Sequence, residues 1–204
     1  MEIELKYRIP NEETAEQIWI NKSFFHIEEE GSREELCFDA RYFDTADGDL
    51  NDKEIAYRVR KEGHRWIATV KWSGFSEGGF HQREELNIPV SSDQPDLSVF
   101  SEREIGETIN KLAEEKELEC ILQTKFMRRQ FRIDTGTGIF EVSIDKGMII
   151  TLNGEEPILE VEIELFSGET DELIDLGNKL SETYNLEVES ESKYARGLAL
   201  VNRK

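Results

Sequence analysis

The 204-residue chain is poor in the residues that make staples and soft-metal sites: two cysteines, four prolines and three histidines. Cys37 and Cys120 lie far apart without metal-ligand spacing. Both have apolar neighbours, so they read as buried free thiols of a reducing cytosol. His26, His64 and His81 form no ligand spacing and are assigned to loops or surface. No apolar run is long enough to span a bilayer, and no signal peptide precedes the first strand, so a cytoplasmic protein is expected. Internal repeats and low-complexity linkers are absent, and residues 1–204 read as one domain; "PVSSDQPDL" is the best loop and a weak boundary. Positive charge is scarce: 25 Lys and Arg stand against 45 Asp and Glu, a formal net charge of −20. A field of that sign repels nucleic acid and anionic lipid, so neither is expected as a partner. Any anionic ligand must sit in a local pocket of reversed sign.

What the chain does have is alternation. Apolar residues make up 37% and charged residues 34%, and in many segments the two take turns. The clearest run over Glu2–Ile9, Ile55–Arg60, Trp66–Ser73, Gln82–Ile88, Thr124–Ile133, Ile139–Asp145 and Pro157–Leu165. Turn signals separate many of them: "TADGDLN", "KEGH", "SGFSEGG", "DTGTG" and "LNGEEP". Short strands joined by tight polar turns predict an antiparallel sheet. Helices are predicted from Asn11 to about Asn21, over "SEREIGETINKLAEEKEL" with Ser101 and Glu104 at capping-box spacing, over "SGETDELIDLGNKLSETYNL", and over "SKYARGLALV". The fold class is α+β.

A strand sends alternate side chains to opposite faces. In "MEIELKYRI", Glu2, Glu4 and Lys6 therefore share one face, and Ile3, Leu5 and Tyr7 the other. The design recurs with Arg58 and Arg60, with Thr69 and Lys71, and with Arg83, Glu85 and Asn87. It returns with Arg128 and Arg132, with Glu141, Ser143 and Asp145, and with Glu160, Glu162 and Glu164. An exposed sheet face explains any one of these strands. It does not explain why the signs segregate by strand, because like charges two apart on one face repel. Divalent metals would hold the carboxylates together, and phosphates the cations. A closed barrel of about eight strands with charged faces inward supplies the geometry, its apolar faces turned outward and covered by helices.

These residues also resemble a known family. Glu2-Ile-Glu-Leu-Lys6 is similar to the Glu-x-Glu-x-Lys signature of the CYTH, or triphosphate tunnel metalloenzyme, superfamily. "YFDTADGDL", "YRVR", "TVK", "EVEIEL" and "SKYARG" resemble further elements of that family, in the same order. The resemblance implies an eight-stranded antiparallel tunnel and Mg²⁺- or Mn²⁺-dependent chemistry on a small triphosphate substrate. Carried over by position, it assigns Glu2, Glu4, Asp145, Glu160 and Glu162 to metal. It assigns Lys6, Arg58, Arg60, Lys71, Arg128 and Lys193 to phosphate, with Glu2, Glu4, Lys6 and Glu162 as the catalytic group. Lys125 and Arg132 are alternatives to Arg128, and Arg83, Glu85 and Glu164 carry weaker assignments. The resemblance is strongest to the bacterial inorganic triphosphatase branch. Tripolyphosphate hydrolysis leads, with nucleoside triphosphates as further substrates. Thiamine triphosphate hydrolysis, cyclisation of ATP to cyclic AMP and non-catalytic polyphosphate binding are the alternatives. Trp19, Trp66 and Trp72 are assigned to wall packing rather than to a nucleoside. The sequence leaves monomer and homodimer open.

Overall fold

A computed structural model describes residues 1–24, 26–114 and 116–203. Nine strands form one sheet: β1 (Glu2–Arg8), β2 (Glu34–Thr45), β3 (Ala56–Glu62), β4 (Arg65–Glu77), β5 (Phe80–Val90), β6 (Leu118–Asp134), β7 (Ile139–Thr151), β8 (Gly154–Ser167) and β9 (Glu187–Val188). Eight of them run in the order β5-β4-β3-β2-β6-β7-β8-β1, and pairing of β1 with β5 closes the ring. Every pairing is antiparallel, and short β9 adds to β1. The described residues thus form a closed eight-stranded antiparallel barrel with four helices: α1 (Glu12–Trp19), α2 (Glu104–Leu112), α3 (Thr170–Tyr184) and α4 (Lys193–Val201).

The alternation dictates which face packs. Leu5, Tyr7, Phe131, Ile133, Val142, Ile144, Val161 and Ile163 point outward into a core with Ile18 of α1 and Leu173 and Leu180 of α3. Tyr57, Val59, Ala68 and Val70 pack outward against Phe100 and against Ile105 and Ile109 of α2. At roughly 1.5–3 kcal/mol for each fully buried large apolar side chain, these two cores hold the helices to the wall. Trp19 joins the first core, and Trp66 and Trp72 the second, as wall residues. The fourth helix differs. It lies across one end of the barrel, where Leu200 packs on the inward-facing Leu122, Ile149 and Ile158. Gly197 permits this approach, since a Cβ there would meet Leu122 Cδ2 at 2.6 Å.

Several elements depart from the sequence expectation. The second helix starts at Glu104 with Arg103 as its cap, because Ser101 closes the preceding turn at Leu97–Phe100. It stops at Leu112, and Glu115 in its predicted tail lies outside the described residues. In "SGFSEGG" the strand does not turn at Ser73. The register shifts between Trp72 and Phe75, Ser73 takes a φ of 50°, and the turn comes at Gly78 and Gly79. Asp44 of the "YFDT" segment is a structural residue. Its carboxylate accepts from the backbone N–H groups of Thr45, Leu50 and Asn51 at 2.8–2.9 Å, which folds the β2–β3 connection. Both thiols are exposed rather than buried. Leu36 and Phe38 face inward, so Cys37 between them faces out, beside Met127. His81 is also corrected: it lies on β5, is 2% exposed, and sits 2.8 Å from Ser76 Oγ and 3.1 Å from the Glu189 carbonyl. His26 and His64 are exposed as expected. Among the described residues, no helix is long and apolar enough to cross a membrane.

Candidate active site

The inward faces enclose a cavity of about 80 Å³ lined by Glu2, Glu4, Lys6, Arg58, Arg60, Lys71, Arg83, Arg128, Glu162 and Lys193, with Tyr42, Phe126 and Tyr194. A single water needs roughly 10–15 Å³, so this is space for a short polar chain displacing several waters. Every residue expected to grip phosphate reaches it. Of the three basic residues weighed on its strand, Arg128 is the one that lines the cavity. Lys125 and Arg132, the alternatives, have side chains 53% and 44% exposed and pair with Asp39 and Glu141.

The five carboxylates expected to bind metal fall into two groups, not one. Oxygens of Asp145, Glu160 and Glu162 lie within 4.8 Å of one another. Lys193 Nζ reaches all three, at 2.7, 2.5 and 2.9 Å. Arg128 grips Asp145 through Nε and Nη2 at 2.7 Å each and also contacts Glu162. Lys6 Nζ lies 3.0 Å from Glu162. Burial alone would raise the Glu162 carboxyl, but Lys193, Lys6 and Arg128 outweigh it and hold it well below the usual range. Asp145 and Glu160 are fully buried and do not line the cavity, because the cations stand in front of them.

Glu2 and Glu4 form the other group, on β1 beside β8. Glu2 bonds Lys71 at 2.5 Å, Lys71 bonds Glu85 at 2.5 Å, and Glu4 lies 3.3 Å from Lys6. Glu164 and Glu141 stand beside them: β1–β8 pairing sets Glu4 opposite Glu164, and β7–β8 pairing sets Glu164 opposite Glu141. Burial, with repulsion from Glu2, Glu4 and Glu141, pushes the Glu164 carboxyl up to about 8. Burial and the neighbouring Glu4 and Glu85 likewise raise Glu2 against the pull of Lys71. Crowded hard carboxylates short of countercharge are the donor set that Mg²⁺ or Mn²⁺ takes, so the residues fit such an ion.

The cations are poised for an anion. The Nε atoms of Arg58 and Arg60 are buried without a hydrogen-bond partner. Burial, then repulsion from Arg58 and Arg128, lowers the Arg60 guanidinium to about 10 despite its pairing with Glu62. Buried donors left unpaired cost stability until an acceptor arrives.

Two functional-looking residues escaped the sequence reading. Arg196, in the "SKYARG" element, is 3% exposed and donates to Glu160 at 2.8 Å and Glu189 at 2.9 Å. Glu189 also holds Arg8 at 2.5 Å. The run "ESES" around Glu189 gives no periodic signal that could have marked it.

Fold and cavity together define a closed barrel with a densely charged interior. The CYTH domain family matches residues 1–198, and the chain belongs to that family. It is 29% identical over 160 residues to an inorganic triphosphatase of Haemophilus influenzae, covering 78% of this chain and 44% of that protein. The chain thus spans under half of that relative's length. Among solved structures, a Hippeastrum protein, a candidate adenylyl cyclase with a dominant triphosphatase activity, superposes with a TM-score of 0.67 at 19% identity, covering 98% and 96% of the two chains. A candidate adenylate cyclase of Bacillus halodurans gives 0.59 at 22% identity, covering 96% of each. At these identities the superpositions speak for the fold.

Proposed function

We propose that the protein hydrolyses inorganic tripolyphosphate to pyrophosphate and orthophosphate with Mg²⁺ or Mn²⁺, acting as one domain over residues 1–204. The observation that carries this reading is a cavity in which six cations, Lys6, Arg58, Arg60, Lys71, Arg128 and Lys193, face a rim of undercompensated carboxylates. Tripolyphosphate brings about four or five negative charges, and fixed guanidinium forks suit its oxygens. Glu2, Glu4 and Glu162, which line the cavity, would hold the metal. Asp145 and Glu160, paired with Lys193 and Arg128 or Arg196, would join them if those cations turned toward phosphate. The ion, when bound, supplies charge for phosphate oxygens and lowers the pKa of a water. Arg58, Arg60 and Lys71 neutralise the diphosphate that leaves when water oxygen bonds to the terminal phosphorus and the bridging P–O bond breaks. Lys6, fixed between Glu4 and Glu162, presents its charge at the junction of the two groups; burial would lower its pKa, but these carboxylates raise it. The related inorganic triphosphatase supports this substrate over a nucleotide. The test is to incubate the protein with tripolyphosphate, ATP and thiamine triphosphate, each with Mg²⁺ or Mn²⁺, and to separate the products. Orthophosphate plus pyrophosphate from tripolyphosphate is the expected result. Cyclic AMP from ATP, or preferred turnover of thiamine triphosphate, overturns it.

A further inference from the structure

Of the five tyrosines in the chain, one stands apart. Burial raises the phenols of Tyr7, Tyr184 and Tyr194 and pushes Tyr57 up to about 12. Tyr42 is 5% exposed, and burial alone would raise it as well. The charge and hydrogen bond of Arg58, with Lys71 and Lys193 behind them, outweigh burial and lower it.

The geometry explains why. Tyr42 lies on β2 directly opposite Arg58 on β3. Arg58 Nη1 donates to Tyr42 Oη at 3.2 Å. From the other side the ring stacks on Tyr194 of α4, with centroids 5.2 Å apart and planes at 27°. The residue lines the cavity together with Arg58, Lys71 and Lys193. The guanidinium thus occupies the phenol's acceptor side, and the stack fixes the ring. Among the described residues, no acceptor takes the hydroxyl proton. A buried hydroxyl pays for an unmade bond, so its proton calls for an acceptor in the cavity.

We propose that the Tyr42 hydroxyl is a substrate-binding group, a neutral donor to a phosphate oxygen lying between Arg58 and Lys193. The inference rests on the triphosphate reading above and adds a seventh ligand to it. A hydroxyl suits this place better than another ammonium. The cations are already crowded, as the lowered Arg60 shows, and a neutral donor adds a bond without adding repulsion. Arg58 has two tasks in this arrangement: it binds phosphate, and it polarises the phenol so that the O–H···O⁻ bond is strong.

The probe is Tyr42→Phe, which keeps the ring and the stack on Tyr194. Binding is measured by calorimetry with Mg²⁺ and a bis-methylene analogue of tripolyphosphate that is not hydrolysed. The near-ultraviolet tyrosine band is recorded in the same titration. Wild type should bind the analogue and show a tyrosine difference band. The variant should lose affinity roughly 10- to 100-fold, the range for a hydrogen bond to a charged group, and lose the band. A wild type that binds while the variant matches its affinity, or keeps the band, overturns the inference alone. A wild type that does not bind the analogue overturns the triphosphate reading and this inference with it.

Discussion

On the wall made by β7 and β8, Asp145, Glu160 and Glu162 share Lys193, Arg128, Lys6 and Arg196. Further along the same two strands and on the adjacent β1, Glu2, Glu4, Glu141 and Glu164 lean on Lys71, on Lys6 already engaged with Glu162, and on a half-exposed Arg132. The same residue type behaves in opposite ways. Glu162 is held ionised against burial, while Glu164 is pushed up to about 8. The first group is a finished ion-pair lattice that fixes cations in place before any ligand arrives. The second is unfinished, and a divalent cation would complete it. Sequence alternation makes both from the same pattern, because it sets only which face a carboxylate takes; strand pairing, which puts Lys6 opposite Glu162 and Arg128 opposite Asp145, and α4, which brings Lys193 and Arg196, set the cations it meets.

The comparison predicts that substitutions in the two groups fail differently. Lys193→Met should destabilise, though by less than the roughly 3–5 kcal/mol of a buried charge left with no partner, because Arg128 still holds Asp145 and Arg196 still holds Glu160; chemical denaturation will read the loss. Glu4→Gln should fold with its melting temperature unchanged or raised, yet lose turnover at least about 100-fold, as a removed metal contact does. If both variants lose stability alike, the two groups are one. Arg60→Met should raise the melting temperature by about 2–4 °C, the shift for roughly 1 kcal/mol in a chain of this size, while weakening tripolyphosphate binding. Arg58→Met should show no such gain. Crowding was expected for both arginines, but it falls on Arg60: Arg58 is raised, because Tyr42 and Glu85 outweigh its burial.

A further difference between the groups concerns pH. In chelator, burial and the neighbouring Glu2, Glu4 and Glu141 push the folded Glu164 carboxyl up to about 8 from its ordinary value of 4.5. Its contribution to stability is present below the unfolded value and is lost as pH rises through the folded one. Glu164→Gln should therefore match wild type near pH 4.5 and become progressively more stable toward pH 8, with melts across that window as the check. A constant difference would mean that the neighbouring carboxylates do not load onto Glu164.

Much of this was readable from the chain. The inward parity of Glu2, Glu4, Arg58, Arg60, Lys71 and Arg128 follows from alternation, and alternation forces the apolar faces outward onto helices. Strand β2 was not marked, because "EELCFDARYFDT" puts Phe38 and Tyr42 inside and Phe43 outside, with no clean polar face. The same mixture hid the exposure of Cys37. His81 shows no ligand spacing and so reads as a loop or surface residue; β5 begins at Phe80, and its pairing with Ser76 of β4 and Glu4 of β1 buries the ring in the barrel wall. Partition of the carboxylates was beyond reach, since Arg196 and Lys193 meet Glu160 only once α4 closes the barrel end.

The central claim is that an acidic protein holds a polyanion only when a divalent cation completes the unfinished carboxylate group. Thermal melts at matched ionic strength test it directly, with the non-hydrolysable tripolyphosphate analogue, orthophosphate or neither, each with and without Mg²⁺ or Mn²⁺. A ligand that binds only the folded state adds stability by mass action. The analogue and metal together should raise the melting temperature well beyond the sum of their separate shifts, and orthophosphate should do less at equal concentration. Equal small shifts for both anions, indifferent to metal, would contradict the account and mark the charged interior as a surface that salt merely screens.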